Sequence, residues 1–262
     1  MKRALIGLAS AAAVAGGSAL AADVAPYYRA PPVAVVVPYT WTGFYAGANV
    51  GGAWTDTNAL WAPLPNSAAF GAFPIAGNTG GSSAIGGLQA GYNWQIAPTW
   101  VVGLEGDWSW ASTGSSVTAP WINNPTGGAV SGSFTSMSST LDWVSSLRAR
   151  LGYLVTPNLM LYGTAGGALG KVDYAASNNG GAIPYATSTA FSRTQGGWVA
   201  GGGLEWMITP NWLLRGEYLY YSLNSSPTMT VGSVTPTPLG ASGYSWSDTN
   251  ASVARAALSY KF

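Results

Sequence analysis

Residues 208–220 have the sequence Ile-Thr-Pro-Asn-Trp-Leu-Leu-Arg-Gly-Glu-Tyr-Leu-Tyr, and this stretch decides the fold. It begins with a turn at Pro210 and continues as a run in which charged and large apolar residues alternate. Arg215 and Glu217 fall on one parity, and the large apolar side chains fall mainly on the other. A period of two is typical of a β-strand whose two faces meet different surroundings. The stretch therefore predicts a turn followed by a strand with one ionic face and one apolar face.

The same kind of turn occurs three times, at Pro98, Pro157 and Pro210. Each turn joins two alternating runs, so three turns and two free ends predict eight strands. We place these strands at about 42–54, 84–95, 100–110, 140–153, 159–172, 194–206, 212–222 and 250–262. The remaining stretches are rich in Gly, Ser, Thr, Asn and Pro and are predicted to be long solvated loops, at 55–83, 111–139, 173–193 and 223–249.

The composition excludes several classes of protein. Charged residues make up 7% of the chain, against roughly 25% in an ordinary soluble domain. The 36 Gly and 16 Pro disfavour a helical fold. The chain has no Cys and no His, which removes disulfides, Cys or His metal sites and every nucleophile that needs a His base. The net charge of +1 contains no basic run for nucleic acid. We therefore predict no enzyme, no cofactor and no metal site.

The first 21 residues have the pattern of an export signal. Lys2 and Arg3 precede a short apolar run, and small residues lead to a predicted cleavage between Ala21 and Ala22. An N-terminal membrane anchor is the alternative, but the run is shorter than the ~20 residues that a spanning helix needs. Residues 22–40 are rich in Pro and Ala and are predicted to form a periplasmic leader. Whether this leader contacts peptidoglycan is left open.

Residues 41–262 are predicted to form an all-β domain, an eight-stranded antiparallel transmembrane β-barrel of the outer-membrane type. An exported apolar chain without spanning helices can satisfy its backbone hydrogen bonds in a bilayer only by closing a barrel. Short turns at one end and long loops at the other match the periplasmic turns and extracellular loops of such barrels. A soluble β-sandwich is the alternative, and it would need a charged exterior that this composition does not supply.

Within the predicted strands, the charges share one face. Strand 100–110, for example, sets Glu105 and Asp107 against Leu104 and Trp108. An ionised side chain facing lipid near the bilayer centre would cost about 2–4 kcal/mol, so we expect the charged face to line the lumen. The residues predicted to line the lumen are Glu105, Asp107, Asp142, Arg148, Arg150, Glu205, Arg215, Glu217 and Arg255.

These charges allow three interpretations. Satisfied structural ion pairs are favoured, because eight strands enclose a space that side chains just fill and an unpaired buried charge is costly. A narrow pore for ions or small solutes is the second interpretation. Acid–base chemistry by Glu105 and Asp107 is the third, and it is disfavoured because neighbouring arginines would hold both carboxylates ionised.

Tryptophans cluster where strands begin and end, as expected at the two interfaces of a bilayer. From Trp100 to Trp108 a tilted strand climbs roughly 20 Å, close to the ~25 Å apolar band of such barrels. The predicted aromatic girdles comprise Trp54, Trp94, Trp100, Trp108, Trp110, Trp143, Trp206 and Trp212.

Four segments resemble the small alphaproteobacterial outer-membrane proteins, known as outer-membrane immunogenic or porin-family proteins and akin to the OmpA-like transmembrane domain. The segments are Trp-Thr-Gly-Phe-Tyr-Ala-Gly-Ala-Asn-Val-Gly at 41–51, Gly-Leu-Gln-Ala-Gly-Tyr-Asn-Trp at 87–94, Arg-Ala-Arg-Leu-Gly-Tyr at 148–153 and Leu-Ser-Tyr-Lys-Phe at 258–262. The resemblance implies that the alternating C-terminal residues form the signal read by the barrel-insertion machinery, namely Ala256, Leu258, Tyr260 and Phe262.

The expected location is the outer membrane of a Gram-negative bacterium. The expected function is structural, stabilising the envelope and displaying loops at the surface. A narrow porin is the alternative, and an adhesin or immune target that acts through its loops is a further one. The expected partners are outer-membrane lipid, lipopolysaccharide and the insertion machinery, and contact with a host surface is left open.

Overall fold

The computed structural model of this chain describes residues 39–262 apart from 64–73, 123–127, 182–185, 225 and 233–240. The predicted signal peptide, its cleavage site and the leader up to residue 38 lie outside the described residues. Within the described part, no helix has the length and apolar character needed to cross a membrane.

Eight antiparallel strands close into a barrel in the order β1-β12-β9-β8-β7-β6-β5-β4. The bounds are β1 (Gly43–Asp56), β4 (Ser82–Ala97), β5 (Trp100–Ala119), β6 (Ser133–Thr156), β7 (Leu159–Gly180), β8 (Ala186–Thr209), β9 (Trp212–Asn224) and β12 (Thr249–Lys261). The first strand pairs with both β4 and β12, and this pairing closes the ring. The prediction of an eight-stranded antiparallel barrel is confirmed.

The three proline turns lie at one end of the barrel, here called the turn end. Residues 98–99, 157–158 and 210–211 connect β4 to β5, β6 to β7 and β8 to β9. Proline sits at the start of each turn, where its fixed φ suits a tight connection. The sequence therefore placed these turns correctly.

The prediction of long loops at the other end, here called the loop end, is wrong over much of their length. The central strands β5 to β8 continue for 20 to 24 residues, well into the stretches predicted as loops. Four further strands form a second sheet at this end, and we call it the upper sheet: β2 (Asn58–Pro63), β3 (Ile75–Asn78), β10 (Thr228–Gly232) and β11 (Ala241–Trp246).

The upper sheet continues the barrel wall. Its order, β10-β11-β2-β3, repeats the order β9-β12-β1-β4 of the strands to which it is joined. Breaks of one to three residues separate each upper strand from its lower one. Buried hydroxyl groups bridge the break, because Thr57 Oγ1 donates to Thr249 Oγ1 at 3.0 Å and Thr79 Oγ1 lies 2.7 Å from Ser139 Oγ. The wall is therefore interrupted in four strands, and side-chain hydrogen bonds connect residues within the interrupted region.

Bulges interrupt the ladder of β5, β6 and β7 at one level. The pairing of β5 with β6 shifts between Trp110 and Thr113, and that of β6 with β7 shifts between Leu141 and Trp143. Asp142 is consequently an extra residue in β6 relative to β7, whereas β5 has one extra residue relative to β6. An extra residue reverses which parity faces inward, so Leu141 points into the barrel although Leu147 points outward.

The lumen as candidate functional site

Eight charged side chains from five strands meet inside the lower barrel, and we call them the charge network. Each is at most 7% exposed. Four acids face four arginines, so the formal charges cancel. The members are Glu105, Asp107, Arg148, Arg150, Glu205, Arg215, Glu217 and Arg255.

Glu105 is the centre of one half of the charge network. Its carboxylate accepts hydrogen bonds from Arg148 at 2.5 Å and from Arg215 at 2.5 Å. Arg150 approaches the same carboxylate at 3.4 Å and also pairs with Glu205. Arg215 Nε donates to Glu205 at 3.0 Å. Three arginines from two strands thus converge on two carboxylates, which offsets the cost of burying the charges.

Glu217 organises the other half of the charge network. Arg255 Nε donates to it at 2.6 Å, and Arg148 NH1 donates to it at 3.3 Å. Asp107 accepts from Arg148 at 2.9 Å and from Arg255 at 3.3 Å. Arg148 therefore contacts three carboxylates and connects the two halves.

Asp142 was predicted to belong to this set, and the prediction is wrong. Its carboxylate lies outside the barrel and pairs with Lys171 Nζ at 3.0 Å, and the Asp142 side chain is 47% exposed. The bulge in β6 is the reason, because Asp142 is the extra residue and does not follow the parity of Arg148. Counting parity along the sequence could not detect an inserted residue.

Two tyrosines that the sequence analysis missed complete the charge network. Tyr45 OH donates to Glu105 at 2.6 Å and accepts from Arg150 at 2.8 Å. Tyr162 OH donates to Glu217 at 2.9 Å, and its ring lies under the Arg150 guanidinium at 4.1 Å. Both tyrosines share the inward parity of their strands, which was the available signal, but only charged residues were considered there.

The turn end of the lumen is closed by Trp41, just before β1. Its side chain is fully buried among a small apolar cluster that includes Leu154, Met160 and Met207. The indole N–H donates to the carbonyl of Pro157 at 3.1 Å. That carbonyl lies in the turn between β6 and β7, and β7 is opposite β1 in the ring. Trp41 therefore spans the mouth of the barrel.

The loop end of the lumen is filled by an apolar core between the upper sheet and the extended strands β5 to β8. Trp61 stacks on Trp121 with ring centroids 5.8 Å apart, and Tyr174 contacts Trp246 at 5.1 Å. Met137 is also fully buried in this core. The lumen is thus occupied at three levels, apolar at both ends and ionic between them.

Comparison with known proteins agrees with this architecture. Residues 8–262 match the family model described as outer membrane protein beta-barrel domain. The chain is 35% identical over 259 residues to the 31 kDa outer-membrane immunogenic protein of Brucella melitensis, covering 97% of this chain and 98% of that protein.

The chain belongs to the outer membrane β-barrel family. It is also 32% identical over 140 residues to the 22 kDa outer membrane protein of Rhizobium leguminosarum, which covers 53% of each chain. The crystal structure of OprG from Pseudomonas aeruginosa superposes with a TM-score of 0.43 and 11% identity, covering 84% of this chain and 96% of that chain. The assignment of the fold rests on the chain's own strand topology and on the family match.

As expected for a member of this family in lipid, the outer surface of the lower barrel is apolar and aromatic. Trp94, Trp100, Trp206 and Trp212 lie exposed near the turn end, where such barrels have their periplasmic turns. Towards the other end lie Trp54, Trp108 and Trp110, with Trp143 half-buried and stacked on Trp108 at 4.2 Å. Their role as interfacial girdles remains a prediction.

The four residues of the predicted assembly signal all point outward from β12. Leu258, Tyr260 and Phe262 are exposed by 46%, 39% and 70%, and Ala256 is exposed as well. Phe262 contacts Phe44 at the seam between the first and last strands, with ring centroids 5.9 Å apart. The outer apolar stripe therefore reaches the C-terminus.

The acidic groups of the lumen are engaged in ion pairs. The carboxylates of Glu105 and Asp107 each accept hydrogen bonds from Arg148, so both are held in ion pairs. In the described part of the chain, no group of three or more His, Cys, Asp or Glu residues is arranged to hold a metal ion.

Proposed function

We propose that this outer-membrane barrel acts as a structural and surface-displayed protein of the envelope, not as an enzyme or an open channel. The observation that carries the proposal is the charge network, because it occupies the lumen with mutually paired side chains from five strands. An eight-stranded barrel has an interior that side chains can fill completely. In the part of the chain that the structure describes, these paired side chains would block passage of solute along the axis.

The partners of this proposed role follow from its surfaces. Outer-membrane lipid would contact the apolar band, and lipopolysaccharide would contact the outer leaflet side. The outward stripe of Ala256, Leu258, Tyr260 and Phe262 would be read by the insertion machinery, since an edge strand can pair with another strand before the barrel closes. The upper sheet and the extended strands would be displayed to the exterior, in keeping with relatives named as immunogenic proteins.

Conductance in planar bilayers tests the proposal. We expect no steady openings from the refolded full chain. We expect none from Arg148→Ala either, because the apolar groups at both ends of the lumen would still occupy it. Steady openings in the wild-type protein would overturn the structural role in favour of a narrow porin.

The proposed display at the surface needs a separate test. Antibodies raised against the folded protein should label intact cells, and a deletion within the connection between β5 and β6 should reduce that labelling. Deletion of 111–139 is unsuitable, because those residues include strand residues and the buried Trp121 and Met137. A deletion confined to 123–127, which lies in the sequence between β5 and β6, is the better choice. Labelling that appears only after cell lysis would contradict the proposal.

A further inference from the structure

We propose that the outward face of β5 to β8 at the loop end binds the saccharide part of glycolipids in the outer leaflet. This face, here called the hydroxyl face, consists of three rows of in-register residues across the four strands. The inference rests on the proposed envelope function and names its contact surface. The rows are Thr118-Ser136-Ser177-Ser188, Ser116-Ser138-Ala175-Ala190 and Gly114-Thr140-Asp173-Ser192.

The chemistry of the hydroxyl face suits sugars. Eight of its twelve positions carry Ser or Thr hydroxyls, each of which can both donate and accept a hydrogen bond. Its largest side chain is that of Asp173, so a sugar ring can approach the sheet closely. Two shallow grooves of about 340 and 350 Å³ run over the face and are lined mainly by its own residues, including Ser138, Ala175 and Ala190.

The height of the hydroxyl face places it in the saccharide layer. Its lowest row begins just above the level of Trp110 and Trp143, which lie at the edge of the aromatic and apolar band. From Trp143 to Ser136 the tilted strand climbs roughly 15 Å. Since the lower part of the same strands faces lipid in this family, the hydroxyl face is continuous with the lipid-facing surface, and anchored glycolipids would present their sugars to it.

The borders of the hydroxyl face add groups that recognise glycolipid. At its upper border Phe134 is 37% exposed and Asn179 is exposed, offering an aromatic ring for stacking and an amide for hydrogen bonding. At its lower border Lys171 is paired with Asp142 and Asp173, with its side chain 33% exposed. Lys171 is opposite Trp143 in the ladder, so its ammonium would lie at the level of the headgroup phosphates if Trp143 marks the interface.

A partner protein fits this surface less well. Protein interfaces are depleted of Ser and Ala and enriched in aromatic side chains, Met and Arg, whereas the three rows consist mainly of Ser, Thr and Ala. A second copy of the chain could instead pack its own hydroxyl face against this one, because the face is flat. Dimer formation is therefore one of the outcomes that the test distinguishes.

The test measures the thermal unfolding temperature of the refolded full chain in detergent. Unfolding is monitored by the different gel migration of the folded and unfolded forms. The additions are lipopolysaccharide with its core saccharide, lipid A without the saccharide, and phospholipid. A ligand that binds only the folded state raises the unfolding temperature. We expect lipopolysaccharide to raise it more than lipid A does.

Two variants and a control decide the result. The triple variant Ser138→Ala, Ser177→Ala and Ser188→Ala removes hydroxyls, and Ala175→Gln covers the face without removing any. Each should abolish at least half of the additional shift caused by the saccharide. The control Thr228→Ala with Ser245→Ala removes paired outward hydroxyls from the upper sheet and should keep the full shift.

The following results would overturn the inference. The first is that Ala175→Gln and the triple variant both keep the full additional rise in unfolding temperature. The second is that the control loses this rise to the same extent. The third is that the wild-type protein shows no additional rise. A dimer of the wild-type protein that both variants dissociate would assign the face to a second copy instead. Failure of the envelope role would appear differently, as steady conductance or as a chain that does not fold in lipid or detergent.

Discussion

The lower and upper halves of the same strands are built with opposite polarity. In the lower half of β6, Arg148 and Arg150 face the lumen and Leu147 and Leu151 face outward. In the upper half, Met137 and Leu141 face inward while Ser136 and Ser138 face outward. The lower half faces lipid in this family. The upper half has the polar exterior that suits surroundings outside the hydrocarbon layer, so each exterior matches its own surroundings.

The comparison shows that an interior can be filled in two ways. Where the outside is apolar, the chain places its charges inside and must pair all of them. Where the outside is polar, the chain can use an ordinary apolar core, here made of Trp61, Trp121, Tyr174 and Trp246. The bulge at Asp142 lies at the level where one solution gives way to the other.

The largest effect should come from breaking the ionic interior. Arg148→Ala leaves three carboxylates without one of their arginines, and we expect the free energy of unfolding to fall by about 3–5 kcal/mol. Urea unfolding in detergent, followed by tryptophan fluorescence, measures the change. Lys171→Ala, which removes an outward cation, is the control and should change stability little. If the free energy of unfolding of Arg148→Ala fell by less than about 1 kcal/mol, the buried ion pairs of the charge network would not depend on one another for stability.

A core substitution in the upper half should cost nearly as much but act locally. Met137 is fully buried between the upper sheet and the extended strands, and Met137→Ala should destabilise that core by about 2–5 kcal/mol. We expect protease to cut within β2, β3, β10 or β11 while the lower barrel still migrates as a folded species. If the lower barrel unfolds together with the upper core, the two interiors are a single cooperative unit.

The outward face of β6 allows a matched test of the two exteriors. Leu147→Arg places a charge on the lipid-facing part, where Leu147 is 68% exposed, and should cost about 2–4 kcal/mol. Ser138→Arg places the same side chain on the same strand above the bulge and should change stability by less than about 0.5 kcal/mol. Unfolding of both variants in lipid vesicles measures the difference. Equal costs would mean that the bilayer does not end between these two positions.

The smallest effect should follow from deleting Asp142. This residue is the extra one in the bulge, so its removal lets Leu141 face inward and Trp143 face outward in regular alternation. We expect the barrel to fold and to lose only the exposed pair with Lys171. Deletion of Leu147, which is not in a bulge, is the matched control and should prevent folding, because it reverses the faces of the neighbouring charged positions. The readout is the fraction of folded protein on an unheated gel.

The sequence predicted the lower barrel because two independent signals agreed there. Charges and large apolar residues alternate around Arg215 and Glu217, and the turns at Pro98, Pro157 and Pro210 mark where strands reverse. In the upper half the same strands present small hydroxyl residues outward, and such residues are also typical of loops. Ser136, Ser138 and Ser177 were therefore assigned to loops although they lie in long strands.

The sequence by itself determined that the chain forms an eight-stranded barrel, which face of each lower strand carries charge, and where the short turns lie, because these properties depend on local period and composition. The tertiary structure decided which charges meet, that Tyr45 and Tyr162 join them, that Trp41 spans the mouth and that Asp142 points outward. Those outcomes depend on register, and one inserted residue in a ladder changes register for every residue beyond it without changing the local pattern.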